Sequence, residues 1–137
     1  QLQQYRDVLR RRLVGQVDRF NPHVLQVQYV SLLGQLAVET GVPYVTSVWG
    51  PELQSAELDS RLAALAEQAA ANAGRILAPD EATLRLLAER FEFESERSMI
   101  APAELGVEAV ESATTDRAAE VLLPLYESLL AERFGSA

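Results

Sequence analysis

The chain has 137 residues, 48% hydrophobic and 23% charged, which suits one globular domain with its own core and argues against a disordered chain. It has no cysteine and no lysine, which excludes disulfides, thiolate metal sites, a cysteine nucleophile and a phosphate-loop or Schiff-base lysine. Twelve basic against twenty acidic residues give a net charge of -8, a surface that repels phosphate backbones, so no nucleic-acid partner is expected.

In chain order, "LQQYRDVLRRRLVGQVDRF" places Leu2, Tyr5, Leu9, Leu13, Val17 and Phe20 at spacings of three and four, the stripe of an amphipathic helix. Asn21-Pro22 ends it. Val24–Val30 reads as a mostly buried strand. "SLLGQLAVETG" follows as a helix with Ser31 as its cap and Gly41 at its end. Tyr44–Val48 is the second strand. It stops at Trp49-Gly50-Pro51, and Trp49 is the one tryptophan of the chain.

Residues 51–74 read as one Ala- and Leu-rich helix closed by Gly74. Arg75–Ala78 is a short strand, and Asp80 caps the helix that begins at Glu81. "SMIAP" is a fourth apolar run. Residues 103–115 are acidic, small and aperiodic, the best linker candidate. A last amphipathic helix runs from Thr114 to Arg133, with Pro124 expected to kink or split it. Strands alternating with helices imply a parallel sheet with right-handed crossovers. The expected fold is therefore α/β, a Rossmann-like three-layer α/β/α arrangement on a small parallel sheet. Residues 1–112 form the domain, and 113–137 a C-terminal helix that packs back on it.

No stretch is long and apolar enough to span a bilayer, and no signal-peptide pattern opens the chain, which fits a cytoplasmic location. The first residue is not Met, so a domain of something longer, or a processed product, is expected. "RDVLRRR" offers a basic patch to anionic lipid, but four Arg on a solvated helix face is the commoner situation, and no membrane partner is expected.

Four stretches, in order, resemble the N-terminal half of the retaining glycosyltransferases of family 4, enzymes with two facing Rossmann-like domains (the GT-B fold). They are "RFNPHVLQVQYVSLLGQLAVETGVP", "PYVTSVWGPEL", "AGRILAPDEATLRLLAERF" and "ERSMIAPAELGVEAV". The last helix is similar to the one that returns in such enzymes from the second domain to the first. The pattern's N-terminal strand with its Gly-rich loop and its donor-binding second domain have no counterpart here. The resemblance implies the acceptor-side half of an enzyme that transfers a sugar from a nucleotide-sugar to an acceptor hydroxyl. It implies no cofactor and no metal, the nucleotide-sugar being the donor substrate of the complete enzyme. Without the donor site, the chain alone is not expected to transfer sugar.

The substrate-binding candidates follow from that resemblance and from the rule that ligands of open α/β sheets bind beyond the carboxyl ends of strands. Trp49 stands at such an end, where its apolar face suits stacking on a sugar ring. Gly50 lets a ligand approach the backbone. Glu52 stands where the family's "WGSD" has its acid; it either accepts hydrogen bonds from acceptor hydroxyls or favours the helix macrodipole. Gln28 and Tyr29 close the first strand, with Gln28 where the family has His. No catalytic residue is identified. The lone His23 has no nucleophile or second histidine beside it and reads as structural.

The alternative reading is a non-catalytic Rossmann-like partner or dimerisation module. With the cleft uncovered, Trp49, Leu53 and part of the Leu122–Leu130 helix are expected to expose apolar surface and to drive self-association, unless the last helix folds back over it.

Overall fold

A computed structural model of the chain describes residues 1–28, 30–58, 60–101 and 115–135. Four short strands form one parallel sheet in the order β1-β2-β3-β4: β1 Leu25–Gln28, β2 Tyr44–Ser47, β3 Arg75–Ala78 and β4 Ser98–Ile100. The helices are α1 Leu2–Phe20, α2 Leu32–Thr40, α3 Gly50–Leu58, α4 Ser60–Asn72, α5 Glu81–Arg90 and α6 Thr115–Phe134. The α/β class and the parallel sheet are thus as the alternation of apolar runs implies.

Because each strand pairs with the next in sequence, every crossover steps the same way across the sheet. Right-handed crossovers then put α2, α3, α4 and α5 on one face. The main core lies there: Val27, Tyr44, Val48, Ile76 and Ala78 from the strands meet Ala37, Leu53, Ala66, Ala69, Ala70 and Leu87 from the helices. The buried positions of α4 are alanines, Ala66, Ala69 and Ala70, and these small side chains let α4 lie close to α2 and the sheet. Tyr44 reaches into this layer and donates its hydroxyl to the Ala69 carbonyl; burial pushes its pKa upward.

The opposite face carries Val45 and Leu77, and α6 covers them with Leu122, Leu125, Tyr126 and Leu129. Polar contacts fix the helix across the sheet. Tyr126 donates to Gln26 Oε1 at 2.9 Å, Arg75 pairs with Glu132 and Ser128, and Arg133 donates to the Gly41 carbonyl at 2.9 Å. The face of α6 expected to be exposed is therefore turned onto the sheet, while Leu123 and Phe134 remain outside.

Several boundaries differ from the sequence reading. The described residues are helical over Gly50–Leu58 and Ser60–Asn72, so the helical stretch already includes Gly50. Pro124 neither ends nor divides α6, which is assigned as continuous through it; its ring is on the exposed side, where the missing N–H is least costly. Ser31 does precede α2, but its side chain makes no capping bond. Leu53 is fully buried, not exposed, because α3 turns it into the core. The linker candidate 103–115 lies outside the described residues until α6 begins at Thr115. Helices α1 and α2 stop as expected: Asn21 (φ 45°) and Gly41 (φ 70°) take the left-handed conformation at the two C-termini.

Helix α1 buries none of its residues. What ties it to α2 is polar. Arg6 donates to Gln35 Oε1 from Nε at 3.2 Å and from Nη2 at 3.0 Å, and both Arg6 and Arg10 pair with Glu39. The Gln35 amide, the guanidinium of Arg10 and the charge of Arg6 together hold the Glu39 carboxyl below its ordinary value of 4.5. A carboxyl depressed on folding stabilises fully above its unfolded pKa, and that stabilisation is lost as pH falls through the folded value. Helix α1 is therefore expected to loosen below about pH 4.5 before the sheet does. Hydrogen exchange resolved along the chain checks this. Simultaneous loss of protection in α1 and β2 would refute it.

Candidate functional site

The carboxyl edge of the sheet is where β1, β2 and β3 hand over to α2, α3 and α5. At β2 the handover is tight. Val48 continues the ladder by donating to the Leu77 carbonyl at 2.9 Å, and the carbonyl of Trp49 accepts the Leu53 N–H at 3.2 Å, so Trp49 opens α3. Pro51 in the first turn pre-sets φ where an N–H needs no partner. Trp49 is half-buried. Gln28 ends β1 with an exposed side chain. Tyr29 lies outside the described residues.

Glu52 has a definite task. Its Oε1 accepts the N–H of Ser31 at 2.7 Å, tying the start of α2 to the first turn of α3. Its Oε2 is buried and has no hydrogen-bond partner among the described residues. A buried carboxylate oxygen left in this way costs stability unless something donates to it. At β3, Asp80 caps α5: its Oδ1 accepts the Thr83 N–H at 2.7 Å, and that bond holds the Asp80 carboxyl below its usual range. Thr83 is buried, with its Oγ1 3.8 Å from where a Cβ on Gly50 would stand.

An alanine at position 50 would meet only ordinary van der Waals contact, and Gly50 has no positive φ. The fold itself does not demand glycine there. Ligand crevices in open α/β sheets often form where the strand order reverses, and among the described residues β1-β2-β3-β4 has no reversal. A cavity of about 240 Å³ lies elsewhere, between α1 and α4, lined by Leu2, Gln3, Arg6, Arg61 and Leu65, and no candidate residue reaches it.

The chemistry of the edge can be read from these contacts. Two of its three helix N-termini already have carboxylates on them, Glu52 beside α2 and Asp80 on α5, and α3 carries Glu52 in its first turn. The charge they would offer a phosphate is neutralised from within. What remains is the half-buried Trp49 and an exposed amide at Gln28, a pair suited to a neutral ligand rich in hydroxyl groups, while both oxygens of Glu52 are turned inward. Among the described residues no group of three acidic or histidine side chains is placed to hold a metal ion. His23, before β1, belongs to the opposite end of the strands.

The sequence reading brings Trp49, Gly50, Glu52 and Gln28 to this edge. It missed Ser31 as the partner of Glu52, and Thr83 behind Gly50. The spacing Asp80-x-x-Thr83 carried a signal for the second; nothing local in the sequence carried one for the first, which joins loops 21 residues apart. No family model matches the chain, and comparison with curated proteins and with solved structures finds no match either. No helix among the described residues is long and apolar enough to cross a membrane.

Proposed function

We propose that this chain is the acceptor-side half of a glycosyltransferase of the GT-B kind, and that its carboxyl edge holds the hydroxyl-bearing acceptor. The observation that carries the reading is the segment "SVWGPE". It resembles the family's strand end, and it lies at the carboxyl edge with Trp49 half-buried and with Glu52 in the first turn of α3. Trp49 stacks on the sugar ring, Gln28 donates and accepts at its rim, and Glu52 positions this edge by accepting the Ser31 N–H. The carboxylates at the helix starts leave the donor diphosphate to a second domain. The donor is a nucleotide-sugar, no further cofactor takes part, and the protein works in the cytoplasm.

Trp49 is the sole tryptophan, so its emission reports on this edge without labels. Methyl glucoside and methyl mannoside, as neutral probes, are expected to change that emission saturably at millimolar concentration, and inorganic diphosphate is not. Gly50→Ala is expected to leave thermal stability unchanged, since its Cβ fits against Thr83, yet to weaken glycoside binding at least about tenfold by filling the approach. Flat emission with both glycosides, or binding that ignores Gly50→Ala, would count against the reading.

A further inference from the structure

We propose that the outer edge of β1 is an interface, and that it pairs antiparallel with the same edge of a second copy of the chain to make one continuous sheet. This inference does not depend on the glycosyltransferase reading. It starts from the direction of the main-chain groups. Leu25 donates its N–H to the Pro43 carbonyl at 2.9 Å, towards β2. Main-chain groups alternate along a strand, so Leu25 and Val27 face β2 while Gln26 and Gln28 turn theirs outward. Nothing among the described residues bonds to these outward groups, β1 is the end of the sheet, and both glutamines are exposed.

Such an edge is a template for another strand, and proteins that keep it free blunt it with charge, proline, a bulge or a covering element. β1 is short, with four residues, but among the described residues it has no charge, proline, bulge or covering element. Its sequence is "LQVQ", and α1 packs on α2 instead of along it. The opposite edge is different: β4 has three residues and follows Glu92, Glu94, Glu96 and Arg97.

Charge selects the occupant. Each molecule carries -8, so two copies meet favourably only where neither presents acids. Residues 20–38, which contain β1, hold no Asp, Glu or Arg, and no other part of the chain is free of charge for as long. The geometry is also self-complementary. A twofold axis at Val27 sets Gln26 opposite Gln28 of the second copy, and the reverse. Each of these two pairs exchanges both of its N–H···O=C bonds, and the arrangement closes without leaving a further open β1 edge.

Sedimentation equilibrium tests this on the full chain. The wild type is expected at twice 15.1 kDa at tens of micromolar. Gln26→Lys with Gln28→Lys puts four like charges across the axis and is expected to raise the dissociation constant at least about tenfold, with the far-ultraviolet dichroism of the wild type retained. Gln26→Glu with Gln28→Glu is expected to do the same. Mixing the two variants sets Lys opposite Glu and is expected to restore a dimer, a rescue that a merely misfolded variant would not give. A wild type that stays monomeric at hundreds of micromolar overturns the proposal. So does a dimer that survives the lysines, or a mixture that fails to pair.

Discussion

Replacing Leu53 with alanine is expected to lower the free energy of unfolding by about 2–5 kcal/mol. Leu53 lies one turn into α3 with no exposed surface, in the cluster that includes Val48, Ile76 and Leu87. Those neighbours come from two strands and α5, so they cannot collapse together to fill the hole. Removing the side chain therefore loses its transfer free energy and leaves a cavity as well. Domains of this size are stable by only about 5–15 kcal/mol, so the loss is a large fraction of the whole. Arg90 adds a second tie by donating to the Leu53 carbonyl, and the variant keeps it. Urea unfolding followed by dichroism measures the change. A loss below about 1 kcal/mol would mean that α3 does not seat Leu53 in the core. The result bears on the candidate site too, because the turn that buries Leu53 is the turn that presents Trp49 and Glu52.

The parallel sheet was legible from the chain because its signals are local. Arg75–Ala78 is bounded by Gly74 and by a Pro-Asp pair, and its strand was read at its observed limits. The left-handed ends at Asn21 and Gly41 announce themselves by residue type. Leu53 was misread because exposure was argued from a missing neighbouring domain, whereas the 3.6-residue period of α3 turns it inward. The site was half legible for the same reason. Trp49 and Gly50 stand out at a strand end, but the bond from Ser31 to Glu52 joins two loops, and only the β1–β2 register brings them together. Nor does any local pattern show that four crossover helices share one face; that follows from strand order, a property of the assembled sheet.

The docking of α6 yields the other large effect, one that changes sign with context. Gly74 donates its N–H to the Tyr44 carbonyl at 2.9 Å, just before β3. A Cβ placed on it would stand 2.3 Å from Leu129 Cδ1, 2.8 Å from Cδ2 and 3.1 Å from Cγ. Leu129 is 5% exposed and lies over Val45 and Leu77, so it has little room to turn away. Gly74→Ala is therefore expected to cost about 1–3 kcal/mol by overpacking. The same change stiffens the unfolded chain, which on its own favours folding by about 0.4–1 kcal/mol. Leu129→Ala alone is expected to cost about 2–5 kcal/mol through the space it opens beneath α6. In that background the clash is gone, and only the effect on the unfolded chain remains. Gly74→Ala should then become neutral or stabilising, giving a coupling between the two positions within the range of about 0.5–3 kcal/mol seen for residues in contact. Equilibrium unfolding of the four proteins of the cycle measures it. If Gly74→Ala costs the same with alanine at position 129 as with leucine, α6 does not rest on Gly74, and the layer opposite the crossover helices is held by its polar contacts alone.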